Sequence, residues 1–298
     1  MSFRHRLAFG GTSALAKFYA ALPAPGITEP VFIIGCGRSG TTILGTALSR
    51  HHDVTYLDEP RNLWVSAYPE TDIWSAAASA RGGKLCMTGE DADPAKSRKL
   101  ARLFRFETLR HQRPVLVEKL PINNFRLHFL HNVFPEARFI HIYRNGLEVA
   151  RSIQRLVDDG QWFGANSYKW DRLVDYAGCE EETRGLPALC TSAFDKGLLE
   201  WRLSTESAVG FLRGLPSQAF IEVNYERFVD DPAATIAQIL AFIGIDDDPE
   251  VDAFVAGTVA RRSSKLGQEE VTAKMRIIGG ELLAYSMNDG DGLVRHAP

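Results

Sequence analysis

Arg38 lies inside the run Gly35-Cys36-Gly37-Arg38-Ser39-Gly40-Thr41-Thr42, where glycines, hydroxyls and one fixed cation are crowded together. The preceding Val31-Phe32-Ile33-Ile34 reads as a buried strand, and Thr41 as the start of a helix. Backbone N–H groups at a helix start lack intrahelical partners and converge on an anion. Glycine lets the backbone approach that anion closely and take positive φ. The run is therefore suited to cradling a phosphate-like group. Gly35 and Gly40 keep the spacing of the triphosphate-binding loop G-x-x-x-x-G-K-[ST], but Thr41 stands at the lysine position, so Mg-dependent NTP hydrolysis is not expected. Cys36 reads as a small space-filler, since a nucleophilic thiol needs a lowered pKa.

A second anion site is encoded by Arg138-Phe139-Ile140-His141-Ile142-Tyr143-Arg144-Asn145-Gly146 and the residues up to Ser152. A β-branched and aromatic strand ends near Arg144, Asn145-Gly146 turns the chain, and a helix follows. An arginine and a hydroxyl converging there grip a phosphate through charge-assisted hydrogen bonds. Glu59 ends the strand that follows the loop helix and should point into the same crevice, where a carboxylate can take a proton. By strand alternation Asp58 should face the other way. The plainer role for Glu59 is a salt bridge with Arg61 or Lys119. Glu118 should alternate away from Lys119 into the interior.

These residues need a scaffold that brings strand ends together. Strands are expected at 31–35, 54–58, 115–119, 138–143 and 220–225. Helices are expected at 41–51, 97–111, 122–134, 145–158, 195–213 and 232–243. The alternation implies an α/β fold with a mainly parallel central sheet flanked by helices in three layers. In such sheets ligands bind at the carboxyl ends of the strands. Residues 1–29 read as a leader and 30–298 as one domain. Within the leader, Ser13 to Leu22 forms a short amphipathic helix that either packs on the domain or touches a membrane. Aromatic-rich insertions near 60–96 and 158–194 break the alternation and are placed to form lids or acceptor-binding walls.

The motifs together resemble the sulfotransferases that use 3′-phosphoadenosine 5′-phosphosulfate (PAPS). Gly37 to Thr42 resembles their 5′-phosphosulfate loop, and Arg144 with Ser152 their 3′-phosphate clamp. The likeness is closest to tyrosylprotein and related bacterial sulfotransferases. It continues through His51-His52-Asp53-Val54-Thr55-Tyr56-Leu57-Asp58-Glu59-Pro60-Arg61, Val117-Glu118-Lys119-Leu120-Pro121, Phe134-Pro135-Glu136-Ala137-Arg138 and Val223-Asn224-Tyr225-Glu226, over roughly residues 30–245. The resemblance implies a P-loop-like fold, PAPS as donor and PAP as product, with no metal required. It implies Arg38, Ser39, Thr41 and Thr42 on the donor, Glu59 as catalytic base, and Tyr225 against the nucleotide. Lys119 stands where cytosolic members carry a catalytic histidine, so it would instead stabilise charge on the bridging oxygen. Ser264 and Lys274, in and after the basic run 261–267, resemble a late loop over the 3′-phosphate. The alternatives are a P-loop small-molecule kinase or NTPase, and a nucleotide-binding protein without catalysis.

The chain has 298 residues, a formal net charge of −3 and 45% hydrophobic residues. That balance suits an ordinary core and argues against general nucleic-acid binding, so any positive field must be local. The acceptor is expected to be a small-molecule or glycolipid hydroxyl, or an amine. No run of eighteen apolar residues occurs, and Cys36, Cys86, Cys179 and Cys190 form no C-x-x-C pair, so a reducing, cytoplasmic setting is expected. Cys179 and Cys190 stay open as a pair. His51 and His52 are rivals for the base but end the loop helix and read as its cap. His141 reads as a core histidine. His128 and His131 lack a third ligand, so no metal site is assigned.

Overall fold

Strand β1 (Val31–Ile34) consists of four apolar residues, each fully shielded from solvent. Only a sheet covered on both faces can bury such a run. In the computed structural model, which describes residues 13–158, 162–259 and 271–286, β1 is the middle strand of five. The other four are β2 (Val54–Asp58), β3 (Val115–Lys119), β4 (Arg138–Tyr143) and β5 (Phe220–Asn224). The order is β2-β3-β1-β4-β5, and every pairing is parallel.

Among the described residues, twelve helices of six to twenty residues connect and cover the strands: α1 (Ala14–Ala21), α2 (Thr41–Leu48), α3 (Arg61–Ala67), α4 (Pro94–His111), α5 (Leu127–Val133), α6 (Gly146–Asp158), α7 (Tyr168–Ala177), α8 (Ala193–Leu212), α9 (Tyr225–Asp230), α10 (Pro232–Ile243), α11 (Pro249–Thr258) and α12 (Ala273–Ser286). Side chains alternate along β1 into two cores. Val31 and Ile33 join Leu44, Leu48, Ile140 and Ile239 on one face. Phe32 and Ile34 join Trp64, Phe104, Phe134 and Phe139 on the other. Burial of this apolar area is the main force that assembles the layers.

The expected elements form with small shifts. The loop helix stops at Leu48, not residue 51, and the expected helix 122–134 is a 3₁₀ segment (Pro121–Arg126) followed by α5. Pro121 suits that tight start, and buried Asn123 and Asn124 bond side chains in place of a regular helix. The insertions contain α3, α7 and the single-turn helices Glu181–Arg184 and Leu186–Leu189. Helix α1 forms as expected, with Ser13 capping it. Cys179 and Cys190 are both free thiols. Among the described residues no helix is long and apolar enough to cross a membrane.

The topology fixes where a ligand belongs. From β1 the chain crosses to β2 at one edge, and from β3 it crosses back past β1 to β4. The crevice at this reversal opens at the carboxyl ends of the strands. Each strand delivers one singled-out residue to that end: Arg38 after β1, Glu59 after β2, Lys119 at the end of β3, Arg144 after β4 and Tyr225 after β5.

Candidate active site

The loop between β1 and α2 is shaped by its backbone. Gly35 and Gly40 take positive φ of 150° and 100°, and Arg38 takes φ 79°, a conformation disfavoured for a side chain with a Cβ. Strain of this kind persists where the surroundings enforce it, most often at functional sites. A Cβ on Gly40 would collide with the Tyr225 ring, so only glycine fits that cap. Asn124 Oδ1 accepts the Gly35 N–H at 2.8 Å, and its amide donates to Ser204 Oγ at 3.0 Å, which pins the loop to α8. No sequence pattern announces Asn124 in this role.

The two anion motifs meet. Arg38 Nε donates to Ser152 Oγ on α6 at 3.0 Å, and Arg144 donates to the Arg38 carbonyl at 3.3 Å. The Arg144 guanidinium lies 4.3 Å from the centre of the Tyr225 ring. Burial, and then the like charges of Arg144 and Arg155, lower the Arg38 pKa. An anion placed among them would relieve that repulsion. The Ser39 hydroxyl and Arg144 Nε are buried without a hydrogen-bond partner among the described residues. Orphaned donors around a crowded set of cations fit a phosphorylated ligand.

Beside the loop, Lys119 Nζ is 3.0 Å from Glu59 Oε1, 2.6 Å from Asp58 Oδ1 and 3.2 Å from Thr42 Oγ1. Arg61 holds the other Glu59 oxygen at 2.5 Å. The ion pair anticipated as the plain role for Glu59 is therefore present, with both partners. Burial pushes the Glu59 carboxyl up, but the Lys119 and Arg61 charges outweigh it and bring it to about 2. The expectation that Asp58 faces away from Glu59 is corrected. Asp58 registers with Lys119 in the parallel ladder and so shares its face. Glu59 lies past the strand end with φ 49°, where alternation no longer applies, and swings back to the same ammonium. Glu118 does turn to the opposite face, accepting from Trp64 Nε1 at 2.7 Å.

A cavity of about 200 Å³ opens from Arg38 and Glu59, lined also by Arg61, Trp74, Trp162 and Lys169. Trp74 comes from the first insertion, and Trp162 and Lys169 from the second. A Cβ on Gly37 would sit 2.6 Å from the Trp162 ring, so that indole lies directly on the loop. Its Nε1 donates to Glu200 at 2.6 Å, and Lys169 pairs with the other Glu200 oxygen at 2.6 Å. Both charges of the Lys169–Glu200 pair are 5% exposed. The Arg61 guanidinium lies 4.0 Å over Trp74. Sequence reading missed Lys169, Glu200 and Arg61 as wall residues, because nothing local distinguishes them from solvated charges.

Other singled-out residues lie elsewhere. Lys274 is not brought to the clamp: Nζ pairs with Asp195 at 2.7 Å and donates to Thr191 at 2.8 Å. The opposite end of α12 is the one near the clamp, through Ser286 to the Gly146 N–H. Ser264 lies outside the described residues. His51 and His52 do not cap α2 with their rings. His51 Nε2 is 2.8 Å from the Asp246 carbonyl, and His52 Nδ1 is 2.7 Å from Asp248. These two rings and Asp248 could surround a cation by distance alone. The Asp53 N–H, however, donates to His51 Nδ1, which leaves the proton on Nε2 and the ring without a spare lone pair. We read the cluster as a clamp between α2 and residues 246–248. His141 is buried against Glu222 at 3.2 Å, and His128 and His131 meet the Phe211 ring edge-on.

Comparison with known proteins bears on the family and the fold. The nodulation protein NoeE of Sinorhizobium fredii is 27% identical over 258 residues, 83% of this chain and 57% of that protein. Protein-tyrosine sulfotransferase 1 of Danio rerio is 28% identical over 162 residues, 51% of this chain and 44% of that protein. The chain thus spans about half the length of these curated relatives. Among solved structures, the sulfotransferase domain of the Synechococcus PCC 7002 olefin synthase matches with a TM-score of 0.52 at 16% identity, over 89% of this chain and 97% of that one. Sulfotransferase STF9 of Mycobacterium avium matches with a TM-score of 0.50 at 15% identity, over 88% and 74%. These two share the fold, the P-loop-like α/β arrangement expected from the sequence. The sequence model described as Sulfotransferase family matches residues 30–249. That span holds the loop and all five strand ends, and the chain accordingly belongs to the sulfotransferase family of enzymes.

Proposed function

We propose that this chain transfers the sulfuryl group of PAPS to an acceptor hydroxyl, with Glu59 as base and Arg38 and Lys119 stabilising the group in flight. The observation that carries this reading is the meeting of Arg38, Ser152 and Arg144 beside Lys119 and Glu59. Two motifs suited to anions meet there, next to a carboxylate and an ammonium. The loop residues Gly37, Arg38, Ser39, Gly40, Thr41 and Thr42 would hold the 5′-phosphosulfate. Arg144 and Ser152 would hold the 3′-phosphate, with Tyr225 against the nucleotide. The missing loop lysine is consistent with a donor whose transferred group carries less charge than a γ-phosphate.

Sulfuryl transfer between oxygens passes through a loose in-line transition state, as phosphoryl transfer does, so positioning and charge stabilisation dominate. Glu59 takes the acceptor proton as the acceptor oxygen bonds to sulfur. The bond from sulfur to the phosphate bridging oxygen breaks, and its electron pair leaves on PAP. Lys119 meets the charge growing on that oxygen. A carboxylate held at about 2 is a weak base. Withdrawal of Lys119 toward the donor would raise Glu59 and couple base strength to donor binding.

The cavity beyond Glu59 is the proposed acceptor site. Its two indoles and the Lys169–Glu200 pair suit a compact hydroxylated acceptor, a small molecule or the exposed sugar of a glycolipid. The test is calorimetric titration of PAP into metal-free protein beside ATP with Mg²⁺, followed by transfer from labelled PAPS to a panel of alcohols, phenols and glycosides. Tight PAP binding with transfer supports the reading. Preference for Mg-ATP would replace it with a kinase, and PAP binding without transfer to any acceptor would favour a nucleotide-binding protein that lacks catalysis.

A further inference from the structure

Helix α1 turns an apolar stripe outward. Leu15 and Phe18 are each 64% exposed and Leu22 38%, while Ala16 and Ala20 are buried. Positions 15, 18 and 22 follow the helical repeat and lie along one side. A cluster of large exposed apolar side chains marks an interaction surface more often than chance.

The helix is anchored. The Tyr19 and Phe106 rings lie 5.7 Å apart, and Arg102 of α4 donates to the Ala24 carbonyl at 2.8 Å and the Ala20 carbonyl at 3.3 Å. The Ile27 N–H bonds the Ala101 carbonyl at 3.0 Å. These contacts run antiparallel along α4, which carries Leu15 toward Leu109, itself 48% exposed. The stripe therefore forms an apolar ridge on a fixed base, with Leu109 exposed on α4 toward its Leu15 end.

That base is cationic. Residues 94–113 hold seven lysines and arginines against the single acid Glu107, in a chain of net charge −3. Arg98 and Lys17 are exposed, and Arg98 and Arg105 make no ion pair among the described residues. An apolar ridge flanked by unpaired cations fits a surface that offers anionic groups above a yielding apolar layer.

We propose that α1 and the basic side of α4 dock this protein on an anionic lipid surface. This surface is independent of the transfer chemistry. The test is flotation of the full-length protein with vesicles of phosphatidylcholine alone, and with phosphatidylglycerol added at about one part in three. The expected result is flotation with the anionic vesicles only, weakened at about 0.5 M NaCl by screening. Leu15→Glu with Phe18→Glu should lower it at least about tenfold, and Arg98→Glu with Arg105→Glu should lower it similarly. Unchanged melting and unchanged PAP affinity in both double variants would show that folding and the donor site are intact. No flotation of the native chain with anionic vesicles, or equal flotation of the variants, would overturn the proposal. So would a native dimer that Leu15→Glu with Phe18→Glu makes monomeric, without any flotation, since that assigns the ridge to a protein interface.

Discussion

Lys119 Nζ lies 3.0 Å from Glu59 Oε1 and 2.6 Å from Asp58 Oδ1, so one buried ammonium holds two carboxylates at the strand ends. Glu59 is the one of the two that lines the cavity. Glu59→Gln keeps the shape and removes the proton acceptor. The expected outcome is PAP affinity within about threefold of native and a loss of transfer on the order of a hundredfold or more. Normal turnover in this variant would remove Glu59 from the base role.

The same pairing sets a pH dependence. Glu59 is depressed to about 2 from an ordinary 4.5. Its pairing therefore stabilises the fold fully above about pH 4.5, and the contribution is lost as pH falls toward 2. Because kcat/KM reports the free enzyme, it should show no acid limb from Glu59 between about pH 5 and 7. Lys119→Met removes the cation that lowers Glu59 most while Arg61 stays, so an acid limb should move up toward the ordinary carboxyl range. Turnover should fall more than PAP affinity. A loss confined to affinity would limit Lys119 to holding the donor.

Arg144 reaches the Arg38 carbonyl and the Tyr225 ring and leaves Nε unpaired among the described residues. Arg144→Ala should weaken PAP by about 1.5–3 kcal/mol, the range for a lost charge-assisted hydrogen bond, or roughly tenfold to a hundredfold. Ser152→Ala should cost less, because it removes a neutral hydroxyl from the proposed clamp, along with its support for Arg38, and leaves the charged Arg144 in place. PAP affinity unchanged in Arg144→Ala would take this arginine out of the clamp.

The strands and the loop are readable in the sequence because short apolar runs followed by turn residues are what a doubly covered parallel sheet requires. Val31–Ile34 and Arg138–Tyr143 show it most directly. Arg38, Arg144 and Tyr225, proposed to hold the donor, stand out for the same reason, since each follows the end of a strand. Asp58 misleads because alternation fails at Glu59, whose positive φ depends on the neighbouring strand: its N–H bonds the Lys119 carbonyl at 2.7 Å. Lys169 and Glu200 pair across 31 positions, and Asn124 reaches Gly35 across 89. Contacts at such separations leave no local period or turn signal. Lys274 misleads in the other direction, since a basic residue after a basic loop reads the same whether it meets a phosphate or Asp195.

Gly40 offers a backbone test of the cradle. Its φ is 100°, and a Cβ there would run into the Tyr225 ring. Gly40→Ala should lower stability by about 1–3 kcal/mol, read by thermal or denaturant unfolding. It should also weaken PAP, because relief of the clash must move either the loop amides or Tyr225. Gly82 has φ 63° with open space around it. Gly82→Ala should therefore show the backbone penalty without the loss of PAP affinity. Equal PAP affinity in both variants would separate Tyr225 and the loop from donor binding.

Glu118 behaves oppositely to Glu59. It is fully buried, and burial raises its carboxyl to about 8 even though the Trp64 N–H bond and the Lys119 charge oppose it. Nearby Asn123 Oδ1 has no partner among the described residues. A turn of that amide would let this oxygen accept the O–H of a protonated Glu118. With the folded value near 8 and the ordinary value 4.5, the folded chain holds a proton that the unfolded chain releases. Stability from this group is therefore full below about pH 4.5 and declines as pH rises to about 8. Glu118→Gln keeps an acceptor for Trp64 and cannot ionise. Its unfolding free energy at about pH 9 should exceed the native one by on the order of a few kcal/mol, with a higher melting temperature, and its decline between about pH 5 and 8 should be shallower. An unchanged slope would mean that Glu118 ionises in the fold at its ordinary value, with the Trp64 and Asn123 donors sufficient to hold the charge.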